Sequence, residues 1–243
     1  MRPTALAEEI RVPLRQSLSS LENTLNHSLT FSPEISDKTW KLAAADYTEF
    51  FVIQPVMNRI LTMSSHCRLS ITHMIPERLS RQLERGEIDL AFHLRESSLG
   101  ALKSKSLLKE KYVLAGRMNH PNLKGPMDLS LFCQLSHAIV SPNGGGFDGI
   151  TDAVLKKQGL TRNVVLSVPH FQFLISSLKQ SNLVALVPSR LVNNDPDLIV
   201  IKPPIDLPEF ELVMLWHERL HHDPAHQWLR NQFLSNSVYN DDY

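Results

Sequence analysis

A chain of 243 residues, 42% of them hydrophobic, can form one large domain or two small ones with a real core in either case. Lys+Arg and Asp+Glu number 25 each, and the resulting zero net charge argues against a free-standing domain that grips nucleic acid by its phosphates. Cys67 and Cys133 lack the spacing of a zinc site or disulfide framework and read as reduced structural thiols; with no signal-peptide core in "MRPTALAEEI" and no run of transmembrane length, the expected compartment is the cytoplasm.

The first segment, "RPTALAEEIRVPLRQSLSSLENTL", reads as helix, with Thr4 able to cap it. Leu14, Leu18, Leu21 and Leu25 recur at four- and three-residue steps, the seam of a two-stranded coiled coil, and Pro13 should kink the helix or begin its second part. The seam calls for a partner helix, or else for a helix lying on its own domain. A polar connector, "HSLTFSPEISD", follows.

From there the pattern is strand "WKLAAADY", helix "EFFVIQPVMNRILTM", strand "CRLSITHMI", helix "ERLSRQLERGEI" ended by Gly86, and strand "DLAFHL". That order predicts right-handed crossovers and a parallel sheet. A second set begins with one strand, "KEKYVLAGRM", then helix "DLSLFCQL" and strand "HAIVSP". Helix "FDGITDAVLKKQGL" has Ile150 and Val154 inside and Gly159 at its end. Strand "NVVLSV" leads into helix "HFQFLISSLKQSN", with Phe171, Leu174, Ile175 and Leu178 on one face, then strands "LVALV" and "DLIVIKPPI". "FELVMLWHE" is a final strand, and Asp223 and Pro224 start a last helix that buries Trp228, Leu229 and Phe233. Two similar β/α blocks in series imply a cleft between lobes, a common place for a small ligand.

In order and spacing, "LAAADYTEFFVIQPVMNRI", "LERGEIDLAFHLRE", "VLAGRMNHP", "VPHFQFLISSLKQSNLVALVPSRL" and "LWHERLHHDPAHQWLR" resemble the effector-binding (regulatory) domain of LysR-type transcriptional regulators, nearly end to end. The "PHF" and "WHER" pieces look like the branch of nodulation and aromatic-degradation regulators, whose effectors are often small aromatic acids or flavonoid-like molecules. The resemblance implies an α/β fold of two Rossmann-like lobes, periplasmic-binding-protein-like (type 2), preceded by a linker helix. It places the linker and dimerisation helix at 1–30, lobe one at 38–112 plus 207–238, and lobe two at 113–206. It also implies a winged helix-turn-helix module upstream, absent from this sequence, through which alone DNA would be bound. Expected partners are a small-molecule effector and a second copy of the chain, as homodimer or tetramer, with no membrane. A solute-binding protein of a transporter is the competing reading. An enzyme is not expected, since no nucleophile elbow, phosphate loop or dinucleotide fingerprint is present. No cofactor is called for.

In open parallel sheets, ligands sit beyond the carboxyl ends of the strands. The resemblance transfers effector contacts to Tyr47, Thr48, His93, Ser141, His170 and Phe171. Asp46 with Glu49 forms a plausible capping box, more fitting for a cap than for a ligand contact. The glycines of "SPNGGGFD" either expose backbone N–H groups to an anion or make a flexible turn. His170 offers a polar handle at a helix start or caps its own lobe, and His120 could also face the cleft. His217, His221, His222 and His226 tempt a metal reading, but Asp223-Pro224 breaks their helical spacing, so surface and interface roles fit better.

Overall fold

The structure, a computed structural model, describes residue 4 and residues 10–19, 31–95, 100–125, 127–141 and 145–235. Residues 10–19 form a helix, α1, with Ile10, Val12, Leu14 and Leu18 each about half exposed to solvent. Leu21 and Leu25, the rest of the expected seam, lie outside the described residues.

Among the described residues, ten strands form two five-stranded sheets. The first has the order β2-β1-β3-β10-β4, from Thr39–Ala44 (β1), Arg68–His73 (β2), Leu90–Leu94 (β3), Leu102–Glu110 (β4) and Phe210–His217 (β10). The second has the order β7-β6-β8-β5-β9, from Tyr112–Arg117 (β5), Ser136–Val140 (β6), Asn163–Val168 (β7), Val184–Pro188 (β8) and Leu198–Ile201 (β9). The helices are Asp46–Thr48 (α2), Gln54–Met63 (α3), Pro76–Arg85 (α4), Leu129–Gln134 (α5), Ile150–Lys157 (α6), Phe171–Lys179 (α7), Ser189–Val192 (α8) and Pro224–Leu234 (α9).

Both sheets are mixed, not parallel. β1 pairs β2 and β3 in parallel, and β6 pairs β7 and β8 in parallel. β10 runs antiparallel to β3 and β4, and β5 runs antiparallel to β8 and β9. The physical reason lies at the crossover. "KEKYVLAGRM" is not one strand: β4 ends at Glu110, Lys111 intervenes, and β5 begins at Tyr112 in the other sheet. The chain thus leaves the first sheet as an edge strand and returns as β10, which lies between β3 and β4 and runs antiparallel to both.

Alternation within each central strand places side chains in two layers. In β10, Leu212, Met214 and Trp216 join Trp40, Leu42, Leu229 and Phe233 under α3 and α9, whereas Val213 and Leu215 join Ala43, Leu79 and Leu83 under α4. In the second sheet, Ala115, Ala185 and Val187 pack with Leu174 and Leu178 of α7, and Leu114 and Val184 pack with Phe132 and Leu155 of α5 and α6. Ile150, expected inside α6, is instead half exposed; Thr151 and Leu155 are the residues buried there. Gly86 (φ 70°) and Gly159 (φ 70°) supply the left-handed residues that follow α4 and α6. Asp223 caps α9 by accepting from the His226 N–H at 2.7 Å, with Pro224 at its first position, as expected. α8 has no counterpart among the expected elements. Between α2 and α3, Glu49–Ile53 is a π turn closed by the Gln54 N–H on the Glu49 carbonyl; Pro55, in the first turn of α3, has no N–H to continue that ladder.

Candidate functional site

The parallel strands of the first sheet end at Ala44, His73 and Leu94, and those of the second at Val140, Val168 and Pro188. These two sets of carboxyl ends face each other. The contact that shows it is Asp46, at the start of α2, whose carboxylate accepts the backbone N–H groups of Phe171 and, at 3.3 Å, of Gln172. Those amides open α7, a helix of the other sheet. The expected Asp46–Glu49 capping box is therefore corrected. The N-cap of α2 is Ala45, and Thr48 closes the turn, accepting from the Ala45 N–H at 3.0 Å and donating to the Ala45 carbonyl at 2.8 Å. Asp46 caps a helix, but across the gap. His170, the N-cap residue of α7, provides no side-chain cap of its own.

Beside this bridge lies a second one. Tyr47 is buried and donates its hydroxyl to Glu110 Oε2 at 2.6 Å. Glu110 is the last residue of β4, and its side chain is 1% exposed. Its Oε1 accepts the Lys111 N–H at 2.9 Å, the Ser189 N–H at 3.1 Å and the Ser189 hydroxyl at 2.6 Å. Arg190 contributes a backbone N–H at 3.4 Å and a guanidinium Nε at 3.8 Å to Oε2. One carboxylate on the crossover strand is thus bonded to α2 of the first sheet and α8 of the second. Burial, reinforced by the negative Glu110, holds the Tyr47 phenol protonated well above its ordinary range, so it remains a donor. Neither Asp46 nor Glu110 stood out as a bridge in the sequence: one reads as a local cap, the other as one more charge in a lysine-rich strand.

Between the two bridges the seam is aromatic. The Tyr47 ring lies 5.0 Å from Phe51 and 6.0 Å from Phe171. Phe171 and Leu191 pack against the cores of both sheets at once. His170, exposed, meets His73 of the first sheet nearly perpendicularly, ring centroids 6.0 Å apart.

The six sequence-predicted residues fall as follows. Tyr47, Thr48, His170 and Phe171 come together at the α2–α7 contact. The hydroxyls of Tyr47 and Thr48 are already bonded within the protein, so only the Tyr47 ring edge and the α2 turn face the seam. His93, half-buried, sits near the carboxyl end of β3, opposite Val213. Ser141, just past β6, donates its N–H to the Val168 carbonyl and accepts the Gly146 N–H on its hydroxyl at 3.2 Å. Residues 142–144 of the glycine loop lie outside the described residues.

His120 does not face the gap. It is buried past the far end of β5, with Nε2 2.9 Å from the Asn182 carbonyl and Nδ1 accepting from the Asn122 N–H. His226 is not a surface residue either. It is fully buried, accepts from Arg230 on Nδ1 at 2.6 Å, and donates Nε2–H to the Asp89 carbonyl at 2.8 Å. Burial first, and then the Arg230 charge, lower its pKa to about 4. Among the described residues, no cluster of three His, Cys, Asp or Glu could hold a metal ion, and no helix is long and apolar enough to cross a membrane. Cys67 and Cys133 are both free thiols.

Two cavities lie outside the Tyr47–His170 contact, and the first adjoins the Glu110–Ser189 bridge. One of about 560 Å³ sits behind the crossover, lined by Lys109, Lys111, Arg190, Asn194, Val200 and Glu209 among others. Another of about 690 Å³ lies on the outer side of the second sheet, between Phe147, Lys156 and Val164. Neither touches Tyr47, His170 or Phe171, and the bridging geometry, not cavity size, marks the candidate site.

The model of the LysR substrate binding domain matches residues 36–237. The HTH-type transcriptional activator NahR of Pseudomonas putida is 31% identical over 233 residues, covering 95% of this chain and 77% of its own length. Among solved structures, a probable transcriptional regulator from Pseudomonas aeruginosa superposes with a TM-score of 0.77 at 26% identity, over 96% of this chain and 78% of that one. The regulatory domain of MexT, a transcriptional activator of the same organism, gives 0.69 at 26% identity, over 81% and 96%. All three are named regulators or activators; none is named an enzyme or a transporter component.

Proposed function

The chain belongs to the LysR family of transcriptional regulators, carrying its effector-binding domain in a type 2 periplasmic-binding-protein-like fold, and from that premise we propose that a small aromatic or carboxylate molecule binds at the Tyr47–His170 seam and biases how the two sheets are held. LysR regulators bind DNA and oligomerise. In this reading, 38–112 with 207–238 moves as lobe one, 113–206 as lobe two, and 1–30 is the linker helix.

The observation that carries the reading is the Asp46 bridge to α7, because it joins strand ends of one sheet to those of the other. The Phe51 and Phe171 rings and the Tyr47 ring edge suit an aromatic guest, and the His170 imidazole offers it a hydrogen-bonding partner. His93, Ser141 and the α2 turn at Thr48 supply the remaining polar edge. A guest shifts the arrangement only by its difference in affinity for the two states, typically about 1–3 kcal/mol. The shift reaches DNA through the assembly of subunits. Apolar residues Ile10, Val12, Leu14 and Leu18 on α1 support a homodimer built partly on that helix, with a tetramer as its extension.

The test is a benzoate titration followed by amide and methyl NMR shifts. Perturbations centred on Tyr47, His93, His170 and Phe171 are expected. Shifts confined to Lys109, Arg190 and Val200 would move the site to the cavity behind the crossover and overturn the reading.

A further inference from the structure

We propose that Asp46 is a latch that holds the effector cleft closed in the absence of ligand, so that entry of a guest must release it. This rests on the cleft assigned above and concerns its regulation.

The local helix does not need this carboxylate. Thr48 already satisfies the Ala45 N–H at the start of α2. Asp46 is used instead on Phe171 and Gln172, two of the first amides of α7, which have no partner within their own helix. His170 leaves that end uncapped from its own side. The second sheet therefore depends on the first for the cap of α7. An acidic group there also meets the positive end of a nine-residue helix.

Phe171 couples the cap to the packing. Its N–H is held by Asp46, and its ring lies on the cores of both sheets. Parting the sheets breaks the cap and withdraws the ring from one of its two cores in a single movement. The space an aromatic guest would fill is thus taken by the protein's own ring, and the closing bond is made by its own carboxylate. A receptor whose competent state is only fractionally populated binds its ligand more weakly by that fraction. Removing the latch removes that penalty.

The experiment uses Asp46→Ala and Asp46→Asn, with fluorophores at cysteines replacing exposed Arg81 on α4 and Lys157 on α6, in a Cys133→Ser background. Energy transfer reports the separation of the sheets, and calorimetry reports benzoate affinity. Asp46→Ala should widen the separation without any ligand and tighten benzoate binding by about tenfold, the scale expected for a charge-assisted hydrogen bond. Asp46→Asn, whose amide oxygen still accepts without the charge, should fall between. If Asp46→Ala does not fold, Asp46→Asn carries the test alone: it should widen the ligand-free separation and tighten benzoate relative to wild type. An unchanged separation, or benzoate binding that is unchanged or weaker, overturns the latch. Failure of the cleft reading shows differently: wild-type protein would then show no benzoate-induced shift at His170 or Phe171, while the ligand-free separation in Asp46→Ala still reads the latch.

Discussion

Replacing Tyr47 by phenylalanine removes one oxygen and leaves the ring that packs on Phe51 and Phe171. What is lost is the 2.6 Å hydrogen bond to Glu110, a carboxylate whose side chain is 1% exposed. Glu110 keeps the Ser189 hydroxyl, the Ser189 N–H and the Lys111 N–H, so it is weakened but not orphaned. A hydrogen bond to a charged group contributes about 1.5–3 kcal/mol, and that is the expected loss in urea unfolding at pH 7, followed by circular dichroism and tryptophan fluorescence. In a Glu110→Gln background the acceptor is neutral, and the same substitution should cost no more than about 1 kcal/mol. The difference between the two backgrounds is the coupling of α2 to the crossover strand. A cost below about 0.5 kcal/mol in both backgrounds, or an equal cost in both, would refute the idea that this bond ties the sheets together.

Two further outcomes follow from buried charge. His137 and His226 are both fully buried and both have pKa values lowered to about 4, chiefly by burial. Between pH 6.5 and 4 the unfolded chain therefore binds more protons than the folded one, so stability falls on acidification through that window; at pH 5 each histidine should cost about 2 kcal/mol relative to pH 7, and His226→Gln should abolish its share of the pH dependence. Arg162, its side chain 2% exposed, makes two hydrogen bonds of 2.7 and 2.8 Å to Asp152. Asp152→Ala leaves that guanidinium buried without its partner and should cost about 3–5 kcal/mol by denaturant titration, whereas Asp152→Leu combined with Arg162→Met should cost clearly less.

The order of strands and helices was legible because each has a period of its own. "LVALV" reads as a strand covered on both faces, and β8 is one, with α5–α6 side chains on one side and α7–α8 on the other. The Asp223-Pro224 start of α9 is equally local and equally readable. Less legible was much of what partners distant in sequence set, together with local details such as the half-exposed Ile150 and the short helix α8. The antiparallel insertion of β10 follows from where the chain returns, not from any residue in "FELVMLWHE". His226 looks like part of a histidine-rich surface until Asp89, 137 residues away, is seen to accept its proton. Tyr47, Thr48, His170 and Phe171 share a neighbourhood, yet the two bridges were hidden: Asp46 reads as a local cap, and Glu110 as one more charge in a lysine-rich strand.

The most direct measurement is a pair of crystal structures of this chain, with and without a bound aromatic carboxylate. The account predicts density for the ligand against His170 and Phe171, the Asp46 carboxylate released from α7, and the two sheets rotated relative to the ligand-free form. Density in the cavity behind the crossover, or a ligand at the seam with Asp46 still on the Phe171 amide and the sheets unmoved, would contradict it.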